Sequence, residues 1–172
     1  MAKIVPTKLT KYNVYSGFSR LMGVGEEVTL PDFEPISDTV SGSAFLGEFD
    51  DPTVGAFGNM KMEIPFRVLD EEALDLMDML SVKTITLAGD AQCLDVYGNI
   101  VFKPTRVVIR GRGGNLKGGS FKDGSGTGTS VSITVLAIMI IVDGVTAVEL
   151  DKVNPTYKIW GVDQLAHIKA NC

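Results

Sequence analysis

The sequence predicts a mainly β protein of the α+β kind: an antiparallel sandwich or barrel with one flanking helix, a long extended hairpin and a short C-terminal helix. Three observations predict it. Polar and apolar residues alternate with period two over Met60–Val68 and Ser130–Val135, the pattern of half-buried strands. Asp143-Gly144 sits between two apolar runs, a strong two-residue hairpin signal. Helical spacing is clear only around Leu74, so the order is strands, one helix, many strands and one short helix. That order is not the βαβ alternation of a nucleotide-binding fold.

The elements follow in chain order. Asn13–Arg20 reads as a short arm with a Ser-Gly turn, and Glu27–Phe33 as an alternating strand ended by Pro31 or Pro35. Ile36–Met60 scatters Gly42, Gly47, Gly55 and Gly58 among acids and isolated apolar residues. A segment of that length within a single 1–172 domain is expected to be a hairpin loop, about 36–60, that is mobile or ordered on assembly. In Met60–Val68 the residues Met60, Met62, Ile64, Phe66 and Val68 share the inner face, and Pro65 places the strand at an edge or bulge.

Asp70 is the expected N-cap of the helix, with Glu71 and Glu72 in its dipole-favoured first turn. Ala73, Leu74, Met77 and Leu80 form its buried stripe, and the helix should end near Ser81. Thr84–Asp95 and Ile100–Arg112 are strands joined at Tyr97-Gly98-Asn99. Gly113–Gly119 is a turn region, Leu116–Lys122 a short strand, and Asp123–Gly128 a loop. Ser130–Val142 is the longest strand. Its second half, Leu136–Val142, is apolar on both faces and expected to be buried on both. Val145–Asp151 is the return strand, and Asp163–Ala170 the terminal helix.

Composition is ordinary for a globular chain, with 45% apolar and 22% charged residues and a net charge of −5. The charge is unevenly placed. Fourteen acids and two bases fall between Glu26 and Asp78, whereas six bases and no acid fall between Val96 and Lys122. Such polarity suits a charged ligand, or copies of one chain that attract each other through opposite faces. Met1–Thr10 lacks the apolar segment of a secretory signal. The most apolar run, Val131–Val142, is shorter than the roughly 20 residues of a membrane-spanning helix. A soluble protein with no membrane anchor is expected. Cys93 and Cys172 make no disulfide framework and read as free thiols of a reducing compartment.

Site chemistry is sparse. His167 is the single histidine, and no Gly-x-Ser-x-Gly elbow marks a nucleophile. One histidine and two distant cysteines do not make a zinc site. Asp50-Asp51 and Glu71-Glu72 read as a solvated loop and a helix start rather than as cation ligands. The run Arg110-Gly-Arg-Gly-Gly-Asn-Leu-Lys-Gly-Gly lacks the Gly-Lys-Ser/Thr ending of a phosphate loop and the interleaved aromatics of a nucleic-acid segment. No catalytic, cofactor or metal residues are assigned, and no enzyme is expected.

Several pieces occur together in order. They are Glu26-Glu27-Val28-Thr29-Leu30-Pro31, an acidic Gly-rich hairpin, and Leu69-Asp70-Glu71-Glu72 opening a helix. Arg106-Val107-Val108-Ile109-Arg110-Gly111-Arg112 follows, then Val148–Asn154 and Trp160–Ala166. This series resembles the major tail tube proteins of contractile-tailed phages and of tailocins, which are headless bactericidal tails. Gly113–Gly128 is richer in Gly and Ser than that family's pattern, and the N-terminus is a few residues longer.

The resemblance implies a homo-hexameric ring whose hairpins join neighbours into an inner β-barrel. Rings stack into a tube in a virion tail or tailocin particle, assembled in the bacterial cytoplasm. It implies a tail sheath protein, a tape-measure protein, a baseplate and a tail terminator as partners. DNA, or ions from a tailocin, would pass through without specific binding. Asp38, Glu48 and Glu63 are then candidates for the lumen, and Arg106, Arg110 and Arg112 for subunit or ring contacts. The competing readings are the tube of a non-contractile tail and a small β-sandwich that binds nucleic acid or glycan.

Overall fold

A computed structural model describes residues 4–43 and 45–172. Its main sheet has nine strands: β1 (Val5–Ser16), β2 (Ser19–Arg20), β5 (Lys61–Phe66), β6 (Lys83–Leu94), β7 (Ile100–Lys117), β8 (Thr129–Val142), β9 (Val145–Asp151), β10 (Thr156–Ile159) and β11 (Val162–Asp163). The spatial order is β11-β10-β9-β8-β7-β6-β1-β2, and β5 pairs with β8. Every pairing is antiparallel. Strands β3 (Pro35–Val40) and β4 (Phe49–Phe57) form a separate two-stranded sheet. Two short helices, α1 (Glu71–Asp75) and α2 (Ala166–Asn171), complete the fold. The expected antiparallel β architecture with a flanking helix, an extended hairpin and a C-terminal helix is present. The sheet is open, not closed into a barrel within one chain.

Alternation builds the core as expected. Met62 and Ile64 on β5, and Val131 and Ile133 on β8, are fully buried, while Ser130 of β8 faces the other way and donates to Glu63 at 2.7 Å. Ile85 and Ile109 meet them from β6 and β7. Each such side chain contributes about 1.5–3 kcal/mol on burial. Pro65 is tolerated because β5 pairs as a strand only with β8; its other side meets the 24–29 segment through single bridges, Val24 to Phe66 and Thr29 to Glu63. Asp143-Gly144 forms the tight turn between β8 and β9, with φ of 53° and 77°.

Several expectations are corrected. The arm at Asn13–Arg20 is the end of a long strand, β1, which pairs with β6 from Val5 to Ser16. Its polar outer residues and two bulges hide the period-two pattern. Glu27–Phe33 is extended but is not a strand, since it shares only the single bridge at Thr29. Val68 is exposed, because the chain has left β5 by then.

α1 starts where expected: the Asp70 side chain accepts from the Ala73 N–H at 3.0 Å. It ends at Asp75, not Ser81. Met77 and Asp78 donate to the carbonyls of Leu74 and Asp75, tightening the last turn. Gly113 of β7 then donates to the Asp78 carbonyl. Ala73 and Leu76 are the buried residues, and Leu74 and Leu80 are exposed.

Gly113–Gly119 is mostly strand rather than turn, and no strand covers 118–122; β7 runs on to Lys117 through bulges at Arg110/Gly111 and Gly113/Leu116. The two glycines are there for close approach. A Cβ on Gly111 would lie 2.4 Å from the Thr134 carbonyl oxygen, and one on Gly113 would lie 2.5 Å from the Leu76 and Met77 backbone.

Leu136–Val142 is not buried on both faces. Ala137 and Ile138 are buried, and Met139–Val142 are half-exposed, because no layer of the same chain covers the second face. Strands β10 and β11, joined at Trp160-Gly161, were not anticipated; Asp163 lies in β11 and the terminal helix starts at Ala166. No helix among the described residues is long and apolar enough to cross a membrane.

Candidate assembly surfaces

The hairpin of β3 and β4 is built from polar and acidic residues and stands off the main sheet. Asp38 lies opposite Asp51, and Thr39 lies opposite Asp50 and donates to its carboxylate at 2.8 Å. Glu48 is at the tip, next to the edge-to-face pair Phe45–Phe49. No Lys or Arg occurs between Pro35 and Phe57. Like charges directly opposite weaken a hairpin, and two strands alone are marginal in water. Its base supplies the missing support. Phe57 packs edge-to-face on Tyr157 at 5.1 Å and on Phe33 at 6.0 Å. Leu165, which precedes α2, fills the space over Gly55. Lys152 donates to the Gly58 carbonyl. The tip therefore projects from an anchored base.

Glu63 is not part of that hairpin. It sits on β5, where Lys117 at 2.9 Å and Ser130 at 2.7 Å bind its carboxylate. The Lys117 and Ser130 hydrogen bonds hold the Glu63 carboxyl below the ordinary glutamate range.

β7 carries the three candidate arginines on one face. Arg106, Arg110 and Arg112 are exposed, while Val107, Ile109, Gly111 and Gly113 face the core. Arg110 is already engaged: its guanidinium lies 2.5 Å from Asp151. Asp151 also accepts from the backbone N–H groups of Val153 at 2.9 Å and Asn154 at 3.0 Å. Burial raises the Asp151 carboxyl, but these donors, the Asn154 side chain and Arg110 together hold it below the ordinary aspartate range. Arg106 and Arg112 have no carboxylate within ion-pair distance among the described residues.

Asp151 was missed in sequence because its partner lies 41 residues away. The exposed aromatic Phe121 was also missed, although an aromatic residue among Gly and Ser was a usable signal.

Catalytic and metal chemistry find no setting here. His167 is exposed on α2 and its ring contacts Asn171 at 2.8 Å. No group of three or more His, Cys, Asp or Glu among the described residues is placed to hold a metal ion. The Gly-rich run after Arg110 is strand and bulge, so it does not form a phosphate-binding loop before a helix.

Comparison with known proteins converges on one kind of particle. The family of phage tail tube protein FII matches residues 6–172. The tail tube protein of Escherichia phage P2 is 25% identical over 176 residues, covering 97% of each chain. A chain in the cryo-EM structure of an extracellular contractile injection system, the PVC sheath-tube complex in the extended state, superposes with a TM-score of 0.54. It is 12% identical, with 78% of this chain and 90% of that chain covered. A chain of the sheath/tube terminator structure from the same kind of system also gives 0.54 at 12% identity, covering 78% of this chain and 96% of that one. At that identity the two structures show a shared fold.

Proposed function

The chain belongs to the phage tail tube protein FII family, and from that premise we propose that it forms stacked hexameric rings, the inner tube of a contractile phage tail or a tailocin. The bore conducts DNA or ions into the target cell. The observation that carries this reading is the family match over nearly the whole chain, residues 6–172. The protein is structural, a component of the tail or injection particle, and not an enzyme. A tail sheath, a terminator, a baseplate and a tape-measure protein are its partners. The sheath-tube complex among its structural relatives favours a contractile tail over a non-contractile one.

The physics of the subunit supports assembly. The outer edge of β1 from Val5 to Asn13 pairs with no strand among the described residues, and the other end of the sheet is the two-residue β11. Open edges aggregate unless a neighbour covers them, and a closed ring of subunits does so. The whole chain 1–172 acts as one tube domain, with the 36–60 hairpin locked by its neighbours. Asp38, Glu48 and Glu63 give the bore an acidic lining that repels phosphate, whereas basic contacts would hold it. Arg106 and Arg112 meet neighbouring subunits; Arg110 does so with its charge already offset by Asp151.

Size-exclusion chromatography and negative-stain microscopy of the purified chain test the reading. Rings or tubes are expected. A strict monomer that binds DNA with a steep salt dependence would instead favour a nucleic-acid module.

A further inference from the structure

We propose that Phe121 of one copy inserts into an acid-rimmed groove on the next copy, a knob and hole that join subunits head to tail along the strand direction. The proposal rests on the tube reading and adds to it a specific contact.

The hole lies on the β1-β6-β7 ribbon. It is an open groove of about 300 Å³ walled by Leu9, Tyr12, Leu30 and Val107. Gly89 forms its floor: a Cβ there would lie 2.8 Å from the Lys11 carbonyl oxygen and 3.1 Å from Leu9. Glu26 and Glu27, both exposed, border it. Glu26 has only a loose ion pair, 3.8 Å to Arg67. The groove therefore suits an apolar side chain that arrives beside a positive charge.

The knob lies at the other end of the sheet. Phe121 is 88% exposed and is followed by Lys122. Its loop, 118–128, has a fixed base. Ser120 donates to the Thr127 carbonyl at 2.8 Å, and Thr127 donates to the Arg67 carbonyl at 2.8 Å. The hydroxyls of Thr127 and Thr129, both buried, are 2.7 Å apart. A large apolar side chain held out in water from an anchored loop gains about 1.5–3 kcal/mol when a partner covers it.

The two features cannot meet within one chain. Val107 and Lys117 are ten residues apart on β7, so groove and loop are separated by about 30 Å at the rise of a strand. A knob and a hole at opposite ends make a heterologous contact, which propagates as a filament. Phe18 is the nearest rival, being fully exposed with Arg20 close by. It is set back, however. Gly17 donates to Thr84, and Thr84 pairs with Arg110, seven residues short of the end of β7. That leaves Phe18 about 20 Å behind the 118–128 loop.

The test measures the sedimenting fraction of full-length protein against concentration, with tubes confirmed by negative stain. Phe121→Ala should keep the wild-type melting temperature and raise the critical concentration about tenfold or more. Phe18→Ala should change it less than twofold. Lys122→Glu should impair assembly, and Glu27→Lys should restore it in the same chain. If wild type builds tubes and Phe121→Ala builds them within twofold of the same concentration, the knob is wrong and the tube reading stands. If Phe18→Ala alone raises the threshold, the contact belongs to the β1–β2 turn. If wild type never assembles, the tube reading fails and this contact with it.

Discussion

Replacing Gly113 by alanine tests whether the Gly-rich segment is strand packed against α1 or a free loop. The added Cβ would lie 2.5 Å from the Leu76 carbonyl oxygen and from the carbon and oxygen of Met77. To reach ordinary contact the backbone after α1 must retreat by about 1 Å. All three atoms are main chain, so no rotamer change relieves the clash. The retreat lengthens the 3.2 Å hydrogen bond from Gly113 to Asp78, a loss of about 1 kcal/mol. It also lifts fully buried Leu76 from the sheet, and such overpacking costs about 1–3 kcal/mol. The total is about 2–4 kcal/mol, a fall in melting temperature on the order of 10 °C for a chain of this size. Urea unfolding of dilute, unassembled protein, followed by circular dichroism, measures it. Gly118→Ala is the control, since nothing lies within 4 Å of its Cβ position and its φ is not positive; it should stay within about 0.5 kcal/mol of wild type. If Gly113→Ala matched that control, the packing of β7 against α1 would be refuted.

Two further outcomes are expected. Asp70→Ala removes the bond to Ala73 that starts α1, so urea unfolding should show a loss of about 1 kcal/mol. Asp151 has a depressed carboxyl in the folded chain. Its stabilisation is therefore present above the unfolded aspartate value of about 3.9 and lost as pH falls through the folded one. Asp151→Asn should accordingly be less stable than wild type at neutral pH, with the gap narrowing below about pH 4 in an acid titration of the melting temperature.

Local chemistry was legible in the sequence. The Asp143-Gly144 turn, the Asp70 cap and the alternation of Met62, Ile64, Val131 and Ile133 need only near neighbours, and each was found where expected. Features set by distant partners were not legible. The end of α1 depends on Gly113, 35 residues beyond Asp78. β1 is held by β6, whose residues lie some 80 positions away, so its polar outer residues looked like an arm. Gly111 and Gly113 looked like a turn because close backbone approach leaves the same signature as flexibility. The candidate sites divide in the same way. Asp38 and Glu48 fall on one hairpin, as their spacing implied. The Glu63–Lys117 and Arg110–Asp151 pairs join residues 54 and 41 positions apart.

The central claim is that this chain builds a tube. Cryo-electron microscopy of particles assembled from the purified protein tests it most directly. The account predicts stacked six-fold rings with a continuous β-lined bore, with Asp38 and Glu48 on its wall. A monomer at all concentrations, or an assembly with no through-channel, would contradict it.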